Sequence, residues 1–204
     1  MQELVEAARG SLKAVGFRKR RNSFWRKQSG VYQLIDFQEG AHGGGYFFVN
    51  LAVHPVGLPK LVAGELSLPD QPKEYECCIR QRLEQVADSR GGKLFRQGLV
   101  WGDDLESASR VLDAVVSQGV PWLDTWGSLD RLVTASETEL APMLTSVPKL
   151  RDKSLWMLKA YCASRLGRDA AAHAALDRFL AAESGGYEFG GLNQYLSRLV
   201  EGEE

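Results

Sequence analysis

The chain holds little of what disulfide, metal or redox chemistry requires. Its 204 residues include three cysteines and three histidines. Cys77 and Cys78 are adjacent and Cys162 stands alone, a poor disulfide framework. No CxxC spacing occurs, and His42, His54 and His173 are scattered, so no zinc set is formed. Buried free thiols are the plainer reading. No metal and no cofactor is expected.

Long apolar runs are also missing. None approaches the ~18 residues of a membrane helix. The opening stretch, MQELVEAARGSLKAVGF, carries Glu3 and Glu6 and lacks the basic start and continuous apolar core of a signal peptide. The protein is therefore expected in the cytoplasm and away from membranes. Phosphate loops, dinucleotide fingerprints, HExxH and EF-hand loops are absent. His42 followed by Gly43, Gly44 and Gly45 resembles one piece of an esterase oxyanion hole. The GxSxG nucleophile elbow that reading needs is missing, so the glycines read as a hairpin loop. No catalytic residue is assigned.

What is present suffices for a core: 44% of residues are hydrophobic and 25% charged. The net charge is −1, but residues 1–30 carry eight Lys or Arg against two Glu. Such asymmetry fits a nucleic-acid or acidic-partner surface, and equally a solvated edge.

Periodicity divides the chain. Leu4, Val5, Ala8, Leu12 and Val15 recur at helical spacing up to Gly16. Strand-like runs follow: 18–27, broken from 31–38 by Gly30, then 46–55. In the last, Phe47, Val49, Leu51 and Val53 form an apolar face, with Tyr46, Phe48, Asn50, Ala52 and His54 opposite. Short connections predict antiparallel pairing. Four prolines make 55–73 an irregular excursion. Residues 74–86 suit strand or helix, and 93–101 suit a strand.

Helical spacing returns from Asp103 and Glu106, a capping-box pair, through Leu105, Ala108, Val111, Leu112, Val115 and Val116. Gly119 is expected to stop that helix, and Pro121 to begin a short piece carrying Trp122 and Trp126. From about 136 the pattern is helical. One helix spans 149–166 with Leu155, Leu158, Cys162 and Leu166 inward. A second spans 170–183 with Ala174, Leu176, Phe179 and Leu180 inward. A third, after Ser184, Gly185 and Gly186, spans 191–200 with Leu192, Tyr195, Leu196 and Leu199 inward. The stretch 155–180 has the form of one tetratricopeptide unit without a second copy, so it reads as a packed helical hairpin.

The order of GFRKRRNSFWRK, VYQLIDFQ, YFFVNLAVHP and YECCIRQRLEQ, then a tryptophan before a helix, resembles the bacterial family called domain of unknown function 4304. The resemblance covers roughly residues 5–135. It implies an α+β fold around an antiparallel sheet and supplies no reaction. By analogy with toxin-immunity and accessory proteins, it suggests protein binding. Two segments are expected: an α+β domain over 1–135 and an all-helical extension over 136–204. The fold class is α+β, an antiparallel sheet of about five strands packed with an N-terminal helix and following helices, plus a C-terminal helical hairpin.

Two constellations carry candidate chemistry. Asn50 and His54 share a face of one strand, and Arg80 and Arg82 share a face of another. If those faces coincide, they form with Phe48 a patch suited to an anion or a partner's carboxylates. The competing reading pairs the arginines with Asp36, Glu74 or Glu76, and makes His54 a structural histidine. The second constellation is Arg18, Lys19, Arg20, Arg21, Arg26 and Lys27 around Phe24 and Trp25. Arg18, Arg20, Arg21 and Trp25 would serve nucleic acid by phosphate contact and stacking. Near-neutral net charge and the lack of a nucleic-acid motif argue against it, and cations on an edge strand also prevent aggregation. The expected function is non-enzymatic binding of another protein, as an accessory or toxin-immunity type factor. Its alternatives are an enzyme or small-ligand domain with an anion pocket, and nucleic-acid binding through 18–27.

Overall fold

The computed structural model describes residues 2–40, 46–62, 65–67, 71–88, 99–100, 105–146, 148–183, 186 and 189–203. The 41–45 glycine loop, most of 93–101, the Asp103 end of the capping box, and Ser184 and Gly185 lie outside them, as do the side chains of Tyr46, Leu105 and Ala108.

Helix α1 (Gln2–Ala14) lays Leu4, Val5, Ala8 and Leu12 into the core. The sheet follows: β1 (Arg18–Arg20), β2 (Ser23–Gln28), β3 (Val31–Glu39) and β4 (Tyr46–Pro55). A small ribbon, β5 (Lys60–Val62) with β6 (Glu65–Ser67), interrupts the proline-rich excursion. The five-strand path runs β1-β2-β3-β4-β7, with β7 at Ile79–Arg82, and β8 (Leu99–Val100) pairs with the start of β4. All pairings are antiparallel.

Residues 18–27 form a hairpin rather than one strand. Arg20 pairs with Ser23 across a two-residue turn in which Arg21 takes φ +56°. The β2–β3 turn, Ser29-Gly30, has both φ values positive, the type I′ geometry that matches strand twist. The ambiguous stretch 74–86 is neither one strand nor one helix. It is a single 3-10 turn at Glu74–Glu76, then β7, then α2 (Leu83–Asp88).

One face of the sheet, carrying Phe24, Val31, Ile35, Phe37, Phe47, Val49, Leu51, Val53 and Ile79, is buried within the main core. Gly119 does not stop the helix over it. Helix α3 (Leu105–Ala114) passes through a π-turn at Val115–Gly119 into α4 (Val120–Trp126). The wider turn accommodates Pro121, which lacks an N–H and crowds the preceding turn. A Cβ on Gly119 would lie 3.3 Å from Leu51 and Leu83, so glycine lets the helix approach the sheet. Val116 faces solvent.

A buried polar network joins these layers. Gln33, fully buried, donates to Leu123 O (2.9 Å) and accepts from Arg26 Nε (2.5 Å). Arg26 also donates to Val15 O (2.7 Å), pairs with Asp124 and lies over the Phe17 ring. A Cβ on Gly127 would overlap the Gln33 amide.

Short helices α5 (Leu129–Thr134) and α6 (Glu137–Leu140) lead to α7 (Arg151–Arg165), α8 (Asp169–Ala181) and α9 (Gly190–Glu201). The inward faces differ from expectation at three positions. Leu166 lies past the end of α7 and is exposed. Ala174 and Leu180 also face solvent, and Ala172, Ala175, Leu176 and Phe179 supply the buried face of α8. Tyr195 is half-buried, with Val200 buried beside Leu192, Leu196 and Leu199. Tyr161 donates to Val56 O (2.6 Å), tying α7 to the turn after β4.

Candidate functional site

The second face of the sheet carries Arg18 and Arg20 from β1, Ser23, Trp25 and Lys27 from β2, and Tyr32, Leu34, Asp36 and Gln38 from β3. Phe48, Asn50, Ala52 and His54 follow from β4, with Arg80 and Arg82 from β7. Cross-strand register fixes this alignment: Arg20 opposite Ser23, Ser23 opposite Asp36, Asp36 opposite Asn50, and Asn50 opposite Arg82. The faces of Asn50, His54, Arg80 and Arg82 therefore coincide.

That face is not an open polar exterior. Leu34, Ala52 and Cys77 form a second buried cluster with Trp25 and Tyr32 packed on it. Asn50 and His54 are buried. His54 Nδ1 accepts from Cys78 N–H (3.3 Å), which leaves Nε2 to donate to Leu58 O (3.0 Å). Both ring nitrogens thus hold the strand end to its neighbours. Arg80 Nε lies 3.0 Å from Glu74 Oε1. Arg82 stacks 4.1 Å over the Phe48 ring and lies 3.8 Å from Glu84.

Between the β1–β3 part of this face and the segment 71–76 lies a cleft of about 510 Å³. Its floor includes Trp25, Leu34 and Asp36; the wall opposite is Gln71, Pro72, Lys73, Glu74, Tyr75 and Glu76. Arg20 and Arg21 stand at its mouth, and Arg20 donates to Gln71 (2.8 Å). Tyr75 is 58% exposed. Asp36 accepts from Ser23 Oγ (2.5 Å). Burial pushes the Asp36 carboxyl up, against the hydrogen bonds of Ser23 and Asn50 and the charge of Arg80. Burial likewise raises Glu74; Arg80 opposes the rise and the neighbouring Asp36 charge adds to it. Two carboxylates thus share one cleft; the Arg80 charge acts on both, and Arg82 adds to its effect on Glu74.

The family model for the domain of unknown function DUF4304 matches residues 8–125, more than half of the chain and every residue of the cleft. The chain belongs to that DUF4304 family. No curated protein and no solved structure matches it.

As a DUF4304 member the chain keeps the cleft inside the family segment, while α5 to α9 lie beyond it. Of the basic cluster, Arg18, Arg20 and Trp25 share the cleft face and Arg21 sits at the hairpin tip. Lys19 and Arg26 point to the other face, paired with Glu6 and Asp124. Lys27 lies over Tyr32. Among the described residues no group of three or more His, Cys, Asp or Glu side chains could hold a metal ion, and no helix is long and apolar enough to cross a membrane.

Asp36, Glu74, Ser23 and Tyr75 were not singled out from sequence as site residues. Asp36 and Glu74 entered only as neutralising partners of the arginines. The signal that could have found Asp36 was the two-residue alternation of 31–38, which puts it beside Leu34 on one face.

Proposed function

We propose that this protein is a non-enzymatic binding factor, of the accessory or immunity type, that holds a partner protein at the cleft between the sheet and residues 71–76. The observation that carries this reading is the mouth of the cleft. Tyr75, Arg20 and Arg21 gather there around a concavity floored by Trp25, and Trp, Tyr and Arg are the residue types that dominate interface hot spots. A tyrosine held 58% exposed beside a concave surface is costly to leave in water and useful to cover. The polar groups flanking the cleft are tied to structural partners, His54 to Leu58 and Cys78, and Arg80 to Glu74. That suits a shaped binding surface more than a reacting one. Arg21 adds a second hint: a non-glycine residue at φ +56° stores backbone strain of about 1 kcal/mol, and such strain gathers at functional sites.

The setting proposed is a bacterial cytoplasm. The bacterial part rests on the family resemblance. The cytoplasmic part rests on Cys77, Cys78 and Cys162 being free, with burial pushing Cys78 to about 12 and the other two well above the usual thiol range.

The test places a photo-crosslinking amino acid at Tyr75 of the full chain in its source cells. One dominant protein adduct is expected, and Arg21→Glu should remove most of it. No adduct, or an adduct indifferent to Arg21, defeats the reading. The alignment of Arg18, Arg20 and Trp25 on one face keeps a second reading, single-stranded nucleic acid along β1. That reading requires salt-dependent oligonucleotide binding that is lost when Arg18, Arg20 and Arg21 are neutralised.

A further inference from the structure

The sheet has an open end beside the cleft. Among the described residues, β1 ends the strand path and pairs with β2 alone. The two-residue turn makes Arg20 with Ser23, and then Arg18 with Trp25, the hydrogen-bonded pairs, which directs the main-chain N–H and C=O of Lys19 away from β2. The bond from Phe37 N–H to Asn22 O (3.1 Å) has the phase this alternation requires on the β3 side. Lys19 is an exposed residue although its side chain is only 26% exposed, so much of what is open to solvent is main chain. Such an edge is a template for another strand. Its charge has one sign. Arg18 and Arg20 flank Lys19 on the cleft face and Arg21 follows at the turn, all exposed. Among the described residues the side chains of Arg18 and Arg21 have no acidic partner, and Arg20 donates to the neutral Gln71. The acids nearby are engaged elsewhere: Asp36 accepts from Ser23, Glu74 pairs with Arg80, and Glu76 accepts from Lys73 N–H. On the opposite face Lys19 is already neutralised by Glu6.

We propose that β1 receives an extended acidic segment of the partner protein, which adds to the sheet as one more strand. The inference rests on the protein-recognition reading and supplies the chemistry of what is recognised. Main-chain bonds to Lys19 give the segment its register, and side-chain alternation gives it selectivity. The residue opposite Lys19 projects to the face of Glu6, where Lys19 needs no second acid, and is matched by a neutral side chain. Its two neighbours project to the cleft face beside Arg18 and Arg20 and are matched by Asp or Glu, since opposite charges across a strand pair attract. The pattern read is therefore acid, neutral, acid. Three cations in a row also repel a second copy of the same edge, so the strand selects against self-pairing. A nucleic acid would meet the same arginines but has no main chain to fill the edge. The Trp25 ring is also engaged, packed on the cluster of Leu34, Ala52 and Cys77 and edge-on to Tyr32 at 6.5 Å, which suits stacking poorly.

The experiment titrates the full chain with three probes, followed by heteronuclear NMR and amide hydrogen exchange. They are a capped peptide of alternating glutamate and valine, the same peptide with glutamine for glutamate, and oligothymidylate. The acidic peptide is expected to slow exchange of the Lys19 amide and to change Arg18 and Arg20 little, because their amides are already bonded to β2. Losing the charge, in the glutamine peptide or in the Arg18→Gln/Arg20→Gln variant, should weaken binding by about fivefold or more, the loss of two cross-strand charge pairs. If the double variant fails to fold, the two peptides carry the comparison. Equal binding of the two peptides overturns the proposal, as does binding that leaves exchange at Lys19 unchanged, or no binding of the acidic peptide. Oligothymidylate binding more tightly than the acidic peptide assigns the edge to nucleic acid and also overturns it. Crosslinking at Tyr75 reads the protein-recognition claim separately. A protein adduct on a chain indifferent to the acidic peptide sinks only this inference, whereas peptide capture with no adduct sinks the claim of a partner held at the cleft.

Discussion

Asp36 is held where a carboxylate is not comfortable. Burial is the main influence on it and raises its proton affinity above the ordinary value of 3.8, while Ser23, Asn50 and Arg80 work in the opposite direction. The folded chain therefore keeps this proton to higher pH than the unfolded chain does. Between the two values the folded state binds more protons, so stability falls as pH rises through that window, and the cost is fully present once both states have ionised. Asn at this position keeps an acceptor for Ser23 and carries no charge. The expected outcome is that the stability of Asp36→Asn relative to the parent increases from pH 3.5 to neutrality, by denaturant titration at each pH. A relative stability that decreases over that range would show Asp36 to be stabilised by its surroundings, and would remove the idea that it is kept for binding. At this scale the sequence was only half readable. Arg26 looked like one more cation of a basic segment. Its place under the sheet depends on the strand starting at Ser23, and that start depends on the Arg21-Asn22 turn, where Asn22 is the only turn-favouring residue and Arg21 takes the positive φ.

Elements were legible where one face is continuously apolar. The alternation of Phe47, Val49, Leu51 and Val53 named β4 and its inward face, and all four are buried. It failed where burial comes from a distant segment. Asn50, Ala52 and His54 looked like an outward face because the 71–78 stretch that covers them follows a proline-rich excursion with no periodicity. It failed again at Gly119, where a helix breaker is used for close approach to Leu51 and Leu83. Helix α7 shows a third kind of information that pattern does not carry. Lys159 donates to Val133 O (2.8 Å) and Ala135 O (2.6 Å) at the C-terminal end of α5, and Lys153 donates to Phe179 O (2.9 Å) near the end of α8. Each lysine meets the last carbonyls of a neighbouring helix, where positive charge is favoured. Burial lowers the proton affinity of both. Lys159→Met should cost about 1–2 kcal/mol, since charged hydrogen bonds to carbonyls are lost while the desolvation of the ammonium is relieved. The urea midpoint should drop with an unchanged slope. No drop would mean that water serves those carbonyls equally well.

At the scale of the molecule, the family segment ends at residue 125, one residue before α4 does, while the buried apolar cluster runs on to Val200. The two are joined by specific bonds as well as by packing. Leu144 bridges Ile79 on β7, the strand that would otherwise end this side of the sheet, and Thr145 N–H donates to Cys78 O (2.9 Å). An edge strand with its backbone groups exposed is prone to aggregation, so this cover has a function of its own. Tyr161, buried, reaches Val56 O and packs so closely that a Cβ on Gly57 would sit 2.6 Å from its hydroxyl oxygen. Composition alone made the change from strand-rich to helical near 136 look like a seam, because a seam and a continuous core leave the same trace in periodicity. Cutting the chain after residue 135 distinguishes them. Removing Tyr161, Leu158 and Cys162 uncovers apolar surface that the remaining residues have no second layer to cover. The 1–135 fragment is therefore expected to bind a hydrophobic dye and to lose its near-ultraviolet circular dichroism and cooperative unfolding. A fragment that unfolds cooperatively and still gives the Tyr75 crosslink would instead show that the recognition cleft needs only the family segment, with the later helices serving a separate purpose.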